Sequence, residues 1–102
     1  MRYETECYIL GEYALNALNK PKNVNKPQFE DMELKDIIKG LHDEITEMML
    51  EINPDYLRSN ILKQNHKINF DRTIDELADV AAYLVGLFVK LSQIKDEIKD
   101  EK

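Results

Sequence analysis

The chain is predicted to be all-α. Three observations carry that expectation: three segments repeat apolar residues at steps of three and four, no run alternates with period two for long enough to make a strand, and Gly and Pro number only three each in 102 residues. With 43% hydrophobic and 33% charged residues, the composition is that of a globular, helix-leaning protein rather than a disordered tail. The length is that of a single domain, residues 1–102. The expected architecture is a helical bundle of three main helices plus a short one, completed by dimerisation into a four-helix-type core.

The first helix is expected over about residues 3–18, where Tyr3, Cys7, Leu10, Ala14 and Ala17 recur at helical spacing. The segment NKPKNVNKPQFED then breaks the pattern with Pro21, Pro27 and the lysines Lys20, Lys22 and Lys26, and reads as a loop. From about Glu33 to Ile52 the spacing of Leu34, Ile37, Ile38, Leu41, Ile45, Met48, Met49 and Ile52 gives the clearest amphipathic helix in the chain. Met48 and Met49 belong to its core stripe. Asn53-Pro54 should end it, because a residue before proline is pushed out of helical geometry. The stretch PDYLRSNILKQ is compatible with a short helical turn opened by Pro54. The third long helix should begin near Phe70 or Asp71, with Asn69 or Asp71 as cap, or with a Thr73–Glu76 capping box if it starts later. It should continue through Leu91 and fray along SQIKDEIKDEK.

A net charge of −6 and a pI near 4.9 argue against a binder of nucleic-acid polymer or of an anionic membrane surface, both of which are gripped through basic patches. An anionic substrate would need a bridging cation. Cys7 is the only cysteine, so no disulfide forms within the chain, and its expected role is a small buried apolar side chain in a reducing compartment. MRYETECYIL lacks the apolar core of a signal peptide, and the uncharged apolar run Val80–Val89 is short of the roughly 20 residues that span a bilayer. A cytoplasmic location is the expectation.

Two acidic runs stand out, DEITE (43–47) and DELAD (75–79), each holding a pair of acids three residues apart: Glu44 with Glu47, and Glu76 with Asp79. At about 100° per residue, Glu44 lies about 80° to one side of the apolar stripe of the second helix, with Glu47 about 60° further round. On the third helix Ile74, Ala78, Ala81, Val85 and Phe88 form one stripe, and Glu76, Asp79, Tyr83 and Lys90 gather opposite. Val80, Leu84 and Leu87 make that helix apolar nearly all round, as in a helix buried among neighbours. Unpaired charge there costs several kcal/mol, about 3–5 for a broken buried pair. Lysines and arginines are concentrated in the loops and the tail, so a divalent cation is the better match: hard cations take oxygen ligands, and two such pairs on facing helices offer four carboxylates to one or two ions. A metal-bridged polyphosphate then becomes an admissible substrate for an acidic protein.

The order Glu44-x-x-Glu47, a spacer of 28 residues (48–75), and Glu76-x-x-Asp79 followed by VAAYL resembles the MazG-like, all-α nucleoside triphosphate pyrophosphohydrolases, over roughly residues 34–91. The resemblance implies Mg²⁺, with Mn²⁺ as a substitute, held by Glu44, Glu47, Glu76 and Asp79. It also implies cleavage of a nucleoside triphosphate between the α- and β-phosphates to a monophosphate and pyrophosphate, in nucleotide-pool cleansing. Glu44 or Glu47 would orient or deprotonate the attacking water, and the sequence leaves open which. The chain departs from the family where a small residue, commonly Gly, precedes the second Glu of the first pair; here Thr46 stands there. The spacer is also at the long end.

Tyr83, one turn after Asp79, is a candidate to stack on a base or to hydrogen-bond a phosphate or ribose, and equally a packing tyrosine. Lys90, two turns further on, is a candidate phosphate contact beside its plainer reading as a solvated lysine. Lys20, Lys22 and Lys26 are candidates for a lid over the triphosphate, or for an ordinary charged loop. His42 reads as a surface residue. Neither His42 nor His66 follows a Glu at three residues, so the Glu-x-x-His signature of di-iron bundles is absent. Two and a half helices cannot cover a third that is apolar all round, so a homodimer, or a dimer of dimers, is expected. The alternative function is a non-catalytic helical homodimerisation module whose acids are polar helix edges.

Overall fold

A computed structural model describes residues 2–20, 23, 26–54 and 68–100 of the chain. The described residues form three α-helices and one 3₁₀ turn, with no strand among them: α1 (Glu4–Leu18), the turn Phe29–Asp31, α2 (Leu34–Ile52) and α3 (Phe70–Asp100). The all-α expectation holds. The helical turn anticipated within 54–64 and the residues Lys22 and His66 lie outside the described residues.

α1 carries Glu4 and Glu6 in its first turn, where carboxylates face the positive end of the helix dipole. Its fully buried residues lie in its C-terminal half. Ala14 and Ala17 are buried, and Ala17 meets Ala78 and Ala82 of α3 with Leu18 beside them. Small side chains on both helices let the backbones approach closely. Tyr3 and Leu10, on the same stripe, remain exposed, and so does Cys7. The expectation of a buried cysteine is therefore corrected: the core contact of α1 begins at Ala14, two turns after Cys7.

α2 follows an extended residue, Glu33, and buries Ile37 completely. It ends at Ile52. The Asn53 N–H still donates to the Met49 carbonyl at 2.8 Å, and Asn53 itself is extended ahead of Pro54, as the rule for pre-proline residues requires. α3 begins with an Asn cap: the Asn69 side-chain oxygen accepts the Arg72 N–H at 3.1 Å, and the Thr73 hydroxyl donates to the Asn69 carbonyl at 2.8 Å. Thr73 is thus bonded back to the cap, and the later-starting capping box is not used. The helix does not fray after Leu91. Residues 87–100 contain no Gly or Pro, and α3 runs on to Asp100 for 31 residues, about 46 Å at the standard rise.

α1, α2 and the 3₁₀ turn all pack on α3, which is therefore the central element. Its buried residues are Ala78, Val80, Ala81, Ala82 and Gly86, whereas Leu84, Val85, Phe88 and Leu91 are exposed, Phe88 at 72%. The stripe expected to face the core is buried at its alanines and open at its large residues. By length and composition alone Phe70–Ile98 could cross a membrane, with a mean hydropathy of 1.5 over its most apolar 18 residues. The radius of gyration is 16.2 Å, against about 13 Å for a compact domain of this length.

Candidate metal and nucleotide site

α2 and α3 bring the two acidic pairs face to face. One carboxylate oxygen from each of Glu44, Glu47 and Glu76 lies within 4.8 Å of the others, with Glu44 and Glu76 half-buried and Glu47 exposed. Asp43 and Asp75, the first residues of the two acidic runs, are exposed. His42 is exposed as expected, with its ring Nδ1 4.0 Å from Asp43.

Crowding three carboxylates has an electrostatic signature. The Glu76 carboxyl is pushed above its ordinary value, first by removal from water, then by the negative charge of Glu47 and of Asp79, and further by a hydrogen bond with Glu47 and the charge of Glu51. Its Oε2 is buried without a hydrogen-bond partner among the described residues. A buried carboxylate oxygen in that condition is stabilised by a proton or by a cation, and the three acids offer hard oxygen donors of the kind Mg²⁺ takes.

Asp79 is placed differently from the expectation of four equivalent acids. The Lys20 ammonium, two residues beyond the end of α1, donates to Asp79 Oδ1 at 3.0 Å across 59 residues of sequence. This corrects the view that basic residues are out of reach of the acids. Helical geometry places Lys20 in a loop, but it does not show that the close packing of α1 on α3 carries that loop back to Asp79. The turn is fixed by the Asn19 and Lys20 N–H groups, which donate to the Leu15 and Ala17 carbonyls at 3.1 and 3.2 Å, and by the Asn23 amide, which donates to Ala17 O at 2.7 Å.

One turn beyond Asp79, the Tyr83 ring lies against Gly40 of α2, so closely that a Cβ at position 40 would overlap the ring and sit 2.7 Å from its Oη. Tyr83 also meets Phe29 of the 3₁₀ turn edge-on, with ring centroids 5.7 Å apart and planes at 78°. Phe29 in turn covers Gly86 of α3, where a Cβ would overlap its ring. Two glycines and two aromatics thus set the spacing of α2, α3 and the turn around the acids. Sequence reasoning missed this, although a Gly inside the strongest amphipathic helix is a signal of close approach. The small residue of the site is Gly40, one turn upstream of Glu44, whereas Thr46 simply bonds its hydroxyl to the His42 carbonyl at 2.9 Å.

A cavity of about 580 Å³ opens beside the acids, between the end of α1, residues 26–32 and α3. Glu44, Asp79, Tyr83, Lys26, Asn19 and Asn23 are among its polar groups, and Leu18, Phe29, Val85 and Val89 form much of its apolar wall. The Tyr83 phenol is pushed above its ordinary value, chiefly by burial, then by the charges of Glu44, Asp43 and Asp79, which keeps it a neutral donor. Lys90 donates to the Glu30 carbonyl at 3.0 Å and to Gln93 Oε1 at 3.1 Å, tying the 3₁₀ turn to α3.

No protein-family model matches the chain, and no curated protein or solved structure matches it.

Proposed function

We propose that the protein is a Mg²⁺-dependent nucleoside triphosphate pyrophosphohydrolase of the MazG-like kind, cleaving ordinary, deoxy or noncanonical nucleotides between the α- and β-phosphates in nucleotide-pool cleansing. The observation that carries this reading is the meeting of Glu44, Glu47 and Glu76 within 4.8 Å, from two helices and across the predicted spacer. Isolated acidic clusters are common on protein surfaces. Here the cluster includes a half-buried Glu76 with a raised carboxyl and borders a cavity large enough for a nucleotide.

Mg²⁺, or Mn²⁺ in its place, supplies charge neutralisation of the phosphates and a more acidic water when bound. Glu44, Glu47 and Glu76 would hold it, and Asp79, outside that group of three and bonded to Lys20, would be the fourth donor from one turn along α3. Glu44, on the cavity wall, or the more open Glu47 orients the attacking water and accepts its proton. The neutral Tyr83 hydroxyl donates to a phosphate or sugar oxygen, and the apolar wall excludes water from around the base and sugar. Lys90, two turns after Tyr83, is bonded to Glu30 and Gln93 outside the cavity lining and is the weaker of the two substrate-contact candidates of α3.

The acidic charge favours a small-molecule substrate over a nucleic-acid polymer or a membrane, in the cytoplasm. Homodimerisation, or a dimer of dimers, is supported by the uncovered large apolar residues of α3 and by its length beyond the other helices. Those same residues favour a second reading, a helical homodimerisation module without catalysis.

Incubation with a panel of ribo- and deoxynucleoside triphosphates and Mg²⁺ separates the two. The expected products are monophosphate and pyrophosphate. Glu47→Gln and Asp79→Asn should each lower turnover by at least about 100-fold while leaving helix content and oligomeric state unchanged. No turnover of any nucleotide, together with no thermal stabilisation by Mg²⁺ and a nonhydrolysable analogue, would leave only the second reading.

A further inference from the structure

We propose that Lys20 is a resident counter-cation of the acid site: it holds Asp79 while no divalent cation is bound, and it moves to the phosphate oxygens of the substrate when Asp79 turns to the metal. This rests on the pyrophosphohydrolase reading and adds a residue with two alternating partners.

The ion pair is poorly explained as ordinary surface decoration. Its Nζ–Oδ1 distance is 3.0 Å, the Asp79 side chain is only 14% exposed, and the bond joins the end of α1 to the middle of α3. The backbone that carries Lys20 is held by the Asn19, Lys20 and Asn23 bonds to Leu15 and Ala17, so the ammonium is aimed from a fixed base. The side chain itself remains 35% exposed, on a four-carbon stem with freely rotating bonds. Its head can therefore change partners without any helix moving.

Charge balance gives the exchange a direction. Without a metal, Glu44, Glu47, Glu76 and Asp79 bring four carboxylates to the α2–α3 junction, three of them with oxygens within 4.8 Å of one another. An ammonium on Asp79 removes one negative charge from that sum. A divalent cation arriving alone has to displace that ammonium from Asp79, so Lys20 competes with it. A nucleoside triphosphate brings about four negative charges, more than one divalent cation neutralises, and its phosphates, seated in the cavity whose wall Lys20 reaches at Asp79, offer the ammonium a stronger partner. Asn19, Asn23 and Lys26 line that cavity alongside Asp79, so the released ammonium stays among groups able to bind phosphate. Lys20 thus opposes metal binding and favours substrate binding.

Opposite signs make the test specific. Lys20→Met retains the apolar stem and removes the charge. Binding of Mn²⁺ alone, followed by paramagnetic resonance, should tighten by roughly threefold to fivefold, the size of a lost ion-pair competitor. In the same variant kcat/KM for the best nucleoside triphosphate should fall by about tenfold to 100-fold, the size of a lost charged hydrogen bond. Lys20→Arg keeps the charge and should leave Mn²⁺ affinity near that of the wild type. A merely structural lysine would weaken both metal and substrate binding in Lys20→Met, and that result overturns the proposal. So does a Lys20→Met protein whose Mn²⁺ affinity equals the wild type's. If the wild-type protein neither binds Mn²⁺ nor turns over any nucleoside triphosphate, the pyrophosphohydrolase reading falls, and the role of Lys20 falls with it. A wild-type protein that binds Mn²⁺ while Lys20→Met shows no tightening overturns the Lys20 proposal alone.

Discussion

The two faces of α3 invert the usual arrangement of a helix in a small protein. The face that carries charge is the one covered within the chain: Asp79 meets Lys20, Glu76 is crowded against the acids of α2, and Tyr83 fits between Gly40 and Phe29. The apolar stripe is covered only where its residues are small. Ala78 and Ala81 are buried, whereas Ile74, Val85 and Phe88 are open to solvent. Burying a large apolar side chain is worth about 1.5–3 kcal/mol. A chain that leaves several such residues uncovered while enclosing its charges has its polar centre assembled before its core is complete.

The largest test of that contrast is Phe88→Asp. A charge placed on the open stripe should weaken self-association on the order of 100-fold or more, read as a shift from dimer to monomer by light scattering across a dilution series. Unchanged mass at every concentration would mean that this face is not where copies meet. Gly40→Ala acts on the covered face. The added methyl overlaps the Tyr83 ring, and the expected loss is about 1–3 kcal/mol in thermal unfolding. Gly40→Ala should cost less in a Tyr83→Ala background than in the wild type, since the clash is then gone. Independent, additive effects would show that the two residues are not in contact.

The smallest expected effect concerns Glu76 in chelator. A carboxyl whose folded value lies above its ordinary 4.5 favours folding below that value, and this contribution is lost as the pH rises through the folded value. Ionised Glu76 therefore destabilises the metal-free protein at neutral pH. Glu76→Gln should raise Tm by a few degrees at pH 7, with the gain shrinking to nothing as the pH falls below the ordinary carboxylate value. A gain that is constant with pH would point to packing instead of charge.

Much of this arrangement was legible in the sequence because it follows from periodicity. The bounds of α1 and α2 are set by apolar spacing and by Asn53-Pro54, and the start of α3 by Asn69. The meeting of Glu44, Glu47 and Glu76 follows from two i,i+3 pairs on long helices that pack together. What could not be read depends on how helices approach in space. The reach of Lys20 to Asp79 is a product of the alanine contact between α1 and α3, and no local pattern at Lys20 records it. The seat of Tyr83 on Gly40 likewise depends on the spacing of α2 and α3. Cys7 was misjudged because α1 keeps its period through residues that the chain does not cover.

The central position of α3 has a consequence for the order in which the protein can form during synthesis. α1 and α2 each find their main packing surface on residues 70–100, so neither has a surface to dock on until that last helix has been made. The ion pair across 59 residues and the acid cluster across the 48–75 spacer are long-range contacts, whose loops must close before they gain anything. Newly made α1 and α2 should therefore wait as fluctuating segments, exposed to proteases and chaperones, and acquire both their core and their cation-binding acids in one late step.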